Sequence, residues 1–278
     1  MDFPRIVWMY WHQGWHQAPY LVKKCFESWK KHHPEWQVIA LDKHTIYKHI
    51  DPVDVTEEKF NNMPVKKRAN LLRIKLLIEY GGVWADATCY CMKPLDTWLN
   101  EYMGAGVFMF QNPGRDRLMA NWFIASEQNN YLLKKLLQEQ CIYWSEFDFE
   151  FESESKQKLT KQLSKIINRR PLWTLLWFTP LFTKWLKLTP MFIFHYHFYK
   201  LLREDDQFAA IWKDVPEYPA REPVYLLRCG LNRYLSKEAK DHIISLKSPL
   251  YKLNWKLKDD SIPKGSTLDF LLHEQSSY

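Results

Sequence analysis

No apolar run in the 278 residues is long enough to cross a bilayer. The longest charge-free stretches, 171–183 and 188–199, fall well short of the roughly 20 residues a spanning helix needs, and Pro180 and Pro190 interrupt them. An integral membrane protein is therefore not expected. Residues 1–7 lack a basic segment followed by an apolar one, so no signal peptide is expected either. The five cysteines, Cys25, Cys89, Cys91, Cys141 and Cys229, are odd in number and contain no Cys-x-x-Cys pair. That pattern argues against a zinc site or a disulfide framework and fits a reducing cytosol. No internal repeat is visible. Hydrophobic residues at 46% and charged residues at 26% exclude a disordered or collagen-like chain.

What the sequence has in excess is aromatic: 14 Trp, 15 Tyr and 16 Phe. Such residues suit flat, half-apolar ligands such as sugar rings and bases, and also the membrane interface. Lys and Arg outnumber Asp and Glu by 39 to 32, a net charge of +7. This favours an anionic partner, for which nucleic acid, a nucleotide-sugar and an acidic lipid leaflet all qualify. No nucleic-acid-binding motif accompanies the charge, so nucleic acid is not the expected partner.

Along the chain, 5–11 (RIVWMYW) reads as a buried strand, 19–32 as a helix with Pro at its first turn, and 36–41 (WQVIAL) as a second strand. Strand, helix, strand at this spacing predicts a parallel α/β sheet. The strongest helix, 64–80, carries Leu71, Ile74, Leu77 and Ile78 on one face and stops at Gly81-Gly82. Strands are expected at 83–90 and 106–110, and a helix at 121–139. Between 146 and 154 acidic residues alternate with phenylalanines, the pattern of a solvated edge or acidic loop. Lys158, Lys161, Lys165 and Arg169 then recur at helical spacing opposite Leu159, Leu163 and Ile166, ahead of Trp173, Trp177, Phe178, Phe182 and Trp185. A basic amphipathic helix leading into a Trp-rich segment is the composition of an interfacial membrane anchor, and equally of a helix packed on the sheet. The expected organisation is a nucleotide-sugar-binding α/β part over 1–144, an acidic loop and basic, aromatic helical insertion over 145–200, and a C-terminal part over 201–278 that completes the same domain.

The chemistry concentrates in 68–88, RANLLRIKLLIEYGGVWADAT. A helix ends on two glycines, and the following strand delivers Asp86 just past an apolar run. In α/β folds ligands sit at the carboxyl ends of strands, so Asp86 falls where a ligand is expected. A carboxylate with Thr88 two residues on can hold a hard divalent cation through oxygen, and such a cation would bridge a diphosphate. Arg73, on the preceding helix, is spaced to reach the same diphosphate, and the neighbouring Asn70 can hydrogen-bond a ribose or a base edge.

The string Gly-Gly-Val-Trp-Ala-Asp-Ala-Thr with Arg73 ahead of it resembles the capsular polysaccharide synthesis protein family, bacterial glycosyltransferases related to the DXD-type sugar-binding enzymes with a GT-A fold. The opening stretch around Trp8, Trp11, Gly14, Pro19, Cys25 and Trp29, the segment 115–125, 194–198 and the closing 248–253 are similar to the family as well. The resemblance implies a single GT-A, Rossmann-like domain with a mixed, mainly parallel sheet. It also implies a hexosyltransferase that moves sugar from a nucleoside-diphosphate donor, by default a UDP-hexose, to a hydroxyl of a growing, lipid-linked surface glycan. Such a transfer retains anomeric configuration, and the departing diphosphate takes the acceptor proton. A divalent metal, manganese or magnesium, is implied with Asp86, Thr88 and His195 as its ligands. The implied nucleotide-sugar contacts are Trp8, Trp11, Asn70, Arg73, Trp84 and Asp86, with Asp86 and Asp116 as catalytic carboxylates and the Asp205-Asp206 pair as weaker candidates. His195 reads equally as an aromatic-packed core histidine, and Trp8 as core. The implied location is the cytoplasm, peripheral on the inner face of the cell membrane. The sequence departs from Asp-x-Asp at Thr88 and carries Ala69-Asn70 where the family's Ser-Asp precedes the helix arginine. This leaves a non-catalytic glycan-binding or scaffolding component of capsule assembly as the alternative.

Overall fold

The computed structural model describes residues 3–147, 153–256 and 262–274. Five strands form the central sheet: β1 Ile6–Tyr10, β2 Gln37–Leu41, β3 Gly82–Ala85, β5 Val107–Gly114 and β6 Arg117–Ser126. Between β3 and β5 lies β4 Cys89–Cys91, which belongs to a second, two-stranded sheet with β7 Leu250–Lys252. The central order is β2-β1-β3-β6-β5. β1 pairs parallel with β2 and β3, whereas β6 runs antiparallel to both β3 and β5. Four strands therefore share one direction and β6 opposes them, giving a mixed, mainly parallel α/β sheet.

Side-chain alternation sends Trp8, Trp84, Met109 and Ile124 to one face and Val7, Met9, Val83, Phe108 and Phe123 to the other. The first face is covered by α3 Val65–Tyr80, α4 Tyr131–Glu146 and α6 Ile193–Glu204. The second is covered by α1 Tyr20–His32, the β4–β7 sheet, and α8 Tyr225–Cys229 with α9 Lys237–Ile244. Short helices α2 Glu57–Asn62 and α7 Asp206–Lys213 pack at the margin of the first face. The five cysteines are free thiols.

Two expectations are corrected. The helix expected over 121–139 is strand β6, a turn, and then α4 beginning at Tyr131. β6 lies between two strands and is buried on both faces, so its apolar run lacks the alternation that marks a half-exposed strand. Asn129 at φ 59 closes it, and the Asn130 side chain caps α4 by accepting from the Leu132 amide at 3.0 Å. The strand expected over 83–90 breaks at Asp86, where the chain turns from the large sheet into the small one. The basic helix is α5 Glu154–Ile167, while Pro171–Phe178 forms a tight 3-10 segment and Leu181–Trp185 a wider π turn. Most of the acidic–aromatic alternation, 148–152, lies outside the described residues.

The link from α3 to β3 depends on glycine. Gly81 and Gly82 take φ values of 65° and 84°, and a Cβ on Gly82 would stand 2.6 Å from the carbonyl oxygen of Ile6 on the neighbouring strand. Gly82→Ala is expected to lower stability by about 1–3 kcal/mol, the usual size of a strained backbone position. A urea melt that leaves the midpoint unchanged would contradict this reading of the turn.

Candidate active site

β3 runs parallel to β1 and ends at Ala85, so Asp86 stands at the carboxyl edge of the sheet. Its amide donates to the Trp122 carbonyl at 2.8 Å, and its own carbonyl accepts from the Cys89 amide at 2.8 Å, which fixes the turn. The carboxylate is held from three directions. The Trp84 indole donates to Oδ1 at 3.0 Å. Arg73 reaches Oδ1 from α3 with Nη1 at 3.3 Å, its guanidinium lying 5.0 Å over the Trp84 ring. The Lys252 ammonium, carried in by β7, lies 2.9 Å from Oδ2 and donates to the Thr88 hydroxyl at 2.5 Å.

Arg73 is locked by further bonds, donating to the Asn121 carbonyl and, through Nε, to the Ala69 carbonyl at 3.2 Å. Asn70 accepts from the Asn121 amide at 2.9 Å, tying α3 to β6 beside it. The Arg73 side chain is only 6% exposed, whereas Asp86 and Lys252 keep 27% and 18%, so solvent reaches the pair from one side. Burial by itself would raise the Asp86 carboxyl, but Lys252 and Arg73 outweigh it and hold it below the ordinary carboxylate range. Burial likewise works against the Lys252 ammonium, and the Asp86 charge overcomes it, leaving the lysine raised and charged.

Aromatic surface flanks this cluster. Trp11, just past the end of β1, meets Trp255 edge-to-face with ring centroids 5.5 Å apart and packs in a small apolar group with Ala18, Val22 and Ala87. Its indole N–H has no hydrogen-bond partner among the described residues. Trp255 is 42% exposed. Tyr10 bonds His12 at 2.8 Å on the same edge, within the positive field of Arg68, whose Nε also lacks a partner among the described residues.

The structure thus brings together Asp86, Thr88, Arg73, Asn70 and Trp11 of the residues expected at the site. Trp8 and Trp84 are each 1% exposed and cannot stack on a ligand, which takes the core alternative for Trp8 and corrects the expectation for Trp84. Trp8 lies on a strand covered on both faces and donates to the Gly81 carbonyl at 3.0 Å, while Trp84 serves by orienting Asp86. Asp116 sits at the tip of the β5–β6 hairpin, where Tyr196 donates to it at 2.6 Å and Arg117 at 3.1 Å. This binding fastens the hairpin to α6 and engages both oxygens. Asp205 caps α7 by accepting from the Phe208 amide. His195, on α6, is packed between Phe192 and Phe194, with Nδ1 unpartnered among the described residues. Burial, aided by Arg117 and Arg73, pushes it down to about 3, so the ring is neutral.

The expected metal ligands do not fit a divalent cation as they stand. Lys252 already spans both Asp86 and Thr88, and among the described residues no three His, Cys, Asp or Glu side chains converge. A divalent ion beside the lysine would meet strong repulsion, since even two unit charges about 4 Å apart interact by about 4 kcal/mol at an effective dielectric of about 20, and a doubly charged ion doubles this. Sequence reasoning missed Lys252 and Trp255. The stretch 248–253 resembles the family, but a lysine 166 residues from Asp86 carries no spacing signal, and only the pairing of Cys89 with Lys252 brings it there.

The profile of the family described as "Capsular polysaccharide synthesis protein" matches residues 2–152, more than half of the chain. The chain belongs to that family. Two curated relatives match about half of it: "O-glycosyltransferase braB" of Annulohypoxylon truncatum, 28% identical over 151 residues, and "O-glycosyltransferase PaGT" of Phomopsis amygdali, 25% identical over 152. Each match covers 48% of this chain but only 36% and 37% of the relative's length, so this family member shares little more than a third of those proteins. Among solved structures, "PaToxG Glycosyltransferase" aligns over 87% of this chain and 84% of its own, at 13% identity and a TM-score of 0.43. A glycosyltransferase involved in the glycosylation of the major capsid of PBCV-1 aligns over 93% and 99%, at 11% identity and a TM-score of 0.40. Likeness at that level carries no argument about the site.

Burial holds His195 and His197 both down to about 3, hence neutral in the folded state. Unfolded histidine takes up a proton near pH 6.5, so the unfolded state binds more protons below that point. Stability is then full above about pH 6.5 and falls toward pH 3, by about 1.4 kcal/mol per pH unit for each histidine. Urea midpoints at pH 7.5 and pH 5 should differ accordingly, and less so in a His195→Gln, His197→Gln double variant. Equal differences in both proteins would assign the acid sensitivity to other groups.

Proposed function

We propose that this chain is a glycosyltransferase that moves a hexose from a nucleoside-diphosphate sugar, by expectation a uridine one, to a hydroxyl of a surface-glycan acceptor. The observation that carries this reading is the cation pair Arg73 and Lys252 clasped on a single carboxylate at the carboxyl edge of an α/β sheet, with Trp11 and Trp255 beside it. Fixed cations of this kind suit a diphosphate, and an exposed indole suits a base or a sugar ring. The names of the two curated relatives, both O-glycosyltransferases, support the same reading.

In the proposed transfer the bond between the anomeric carbon and the phosphate oxygen breaks, and its electron pair stays on the diphosphate. The acceptor oxygen bonds the anomeric carbon, and its proton passes to the departing diphosphate. No side-chain base is needed, in keeping with an edge whose Asp86 is held as a carboxylate by two cations. Asp86 itself orients those cations.

The acceptor we favour is lipid-linked, presented at an anionic membrane surface. Leu172, Leu181, Trp185 and Met191 are more than half exposed, with Trp185 at 82%, and they follow the basic face of α5. Trp with Lys at its flank is the pairing of a bilayer interface. No helix among the described residues is long and apolar enough to cross a membrane.

A panel of nucleoside-diphosphate sugars, assayed for released nucleoside diphosphate, should include one that is consumed. Asp86→Asn should reduce that turnover at least about 100-fold. It should also cost about 3 kcal/mol of stability, because it strands two cations. Consumption of no sugar nucleotide would defeat the transferase reading. Separately, the protein should sediment with phosphatidylglycerol vesicles at low salt and release at high salt, and Trp185→Ser with Lys161→Glu should weaken the binding. Indifference to such vesicles would end the membrane reading alone.

A further inference from the structure

We propose that Lys252 is the resident cation of this site: its ammonium takes the position between Asp86 and Thr88 that a divalent ion would take, so that a nucleoside diphosphate is received without a metal. The inference rests on the transferase reading above and adds the means by which the diphosphate charge is met.

Three observations carry it. The first is occupancy. Lys252 Nζ lies 2.9 Å from Asp86 Oδ2 and 2.5 Å from Thr88 Oγ1, the two oxygens best placed to ligate a cation. The second is charge. Arg73 and Lys252 contribute +2 against −1 from Asp86, so the cluster keeps a net +1 to meet a diphosphate without any further cation. The third is anchorage. The lysine backbone is not on a loose tail, because its amide donates to the Pro223 carbonyl at 2.9 Å and the Leu253 amide donates to the Thr88 carbonyl at 2.8 Å. The β4–β7 ladder sets Lys252 opposite Cys89, immediately after the Asp86 turn.

The ammonium has three N–H donors, of which Asp86 and Thr88 take two. One remains for a phosphate oxygen, and the side chain keeps 18% of its surface open to receive it. When the anomeric carbon–oxygen bond breaks, the negative charge that grows on the departing diphosphate is met by this ammonium, with the Arg73 guanidinium behind it. No co-reactant beyond the sugar nucleotide and the acceptor is required. The departure from Asp-x-Asp at Thr88 gains a physical sense: a second carboxylate there would cancel the site's positive charge, whereas a hydroxyl accepts the lysine bond and leaves that charge free.

The test uses the full chain and its melting temperature with uridine, guanosine, adenosine and cytidine diphosphates, each in excess EDTA and in manganese chloride. Ligand binding to the native state alone raises the midpoint in step with affinity. One diphosphate should stabilise the protein to the same extent in both conditions, with an affinity difference below twofold. Lys252→Met, which keeps the packing of the stem, should weaken that binding at least tenfold in either condition, and Lys252→Arg should retain most of it. A wild-type shift that appears only with manganese would overturn the role of Lys252 and leave the transferase reading standing. So would a Lys252→Met protein that binds as the wild type does. The absence of a shift with every nucleotide in both conditions would overturn the transferase reading and this inference together. The wild-type comparison with and without manganese decides the matter even if a variant fails to fold.

Discussion

The clasp of Arg73 and Lys252 on Asp86 is the constraint around which the rest of the carboxyl edge is arranged. It joins the helix before β3 and the turn after it to a strand far away in sequence, β7. Each part is anchored by its own backbone bonds, so the charges meet without depending on long mobile side chains. Removing a buried charge from water is costly, and a lone carboxylate here would be driven toward its neutral form. Two cations reverse that tendency, and the hydrogen bond from Trp84 fixes which oxygen faces which partner. The net positive charge that results lies where the sheet opens to solvent.

The aromatic excess divides along a physical line. Most of it is core: Trp8, Trp29, Trp84, Trp144 and Trp177 are nearly or wholly buried, and indole N–H groups among them find carbonyl or side-chain acceptors. A sheet covered on both faces by helices has room for such large side chains, and their polar atoms are satisfied where they are buried. Of the indoles that keep solvent exposure, two groups stand out. One group, Trp11 with Trp255, adjoins the charged cluster. The other, around Leu181 and Trp185, follows the basic helix α5.

The second sheet of only two strands has a consequence out of proportion to its size. By pairing with β4, β7 returns the C-terminal part of the chain to the end of β3 and delivers Lys252 and Trp255 there. The same pairing buries Cys89 and Cys91 together against α1, which raises both thiols and leaves them as packing residues rather than ligands. The site is therefore completed late in the chain, and a fragment limited to the family match at residues 2–152 would lack its lysine.

The sequence determined by itself what local rules govern. The βαβ opening, the helix stopped by Gly81-Gly82 and the placement of Asp86 at a strand end follow from periodicity, from a turn that only glycine accommodates, and from the direction of a parallel strand. Arg73 and Asn70 were legible because a helix brings residues three apart to one face. Strand β6 was not legible, because burial on both faces erases the alternation that separates strand from helix. Nor could Trp84 be recognised as core, or the two readings of Trp8 be separated, since an indole in an apolar run reads the same whether it faces a ligand or a helix. Lys252 was decided only by the tertiary structure. Its meeting with Asp86 depends on the register of two strands far apart in the chain, and a charge gains its partner from proximity in space, which no spacing along the sequence records.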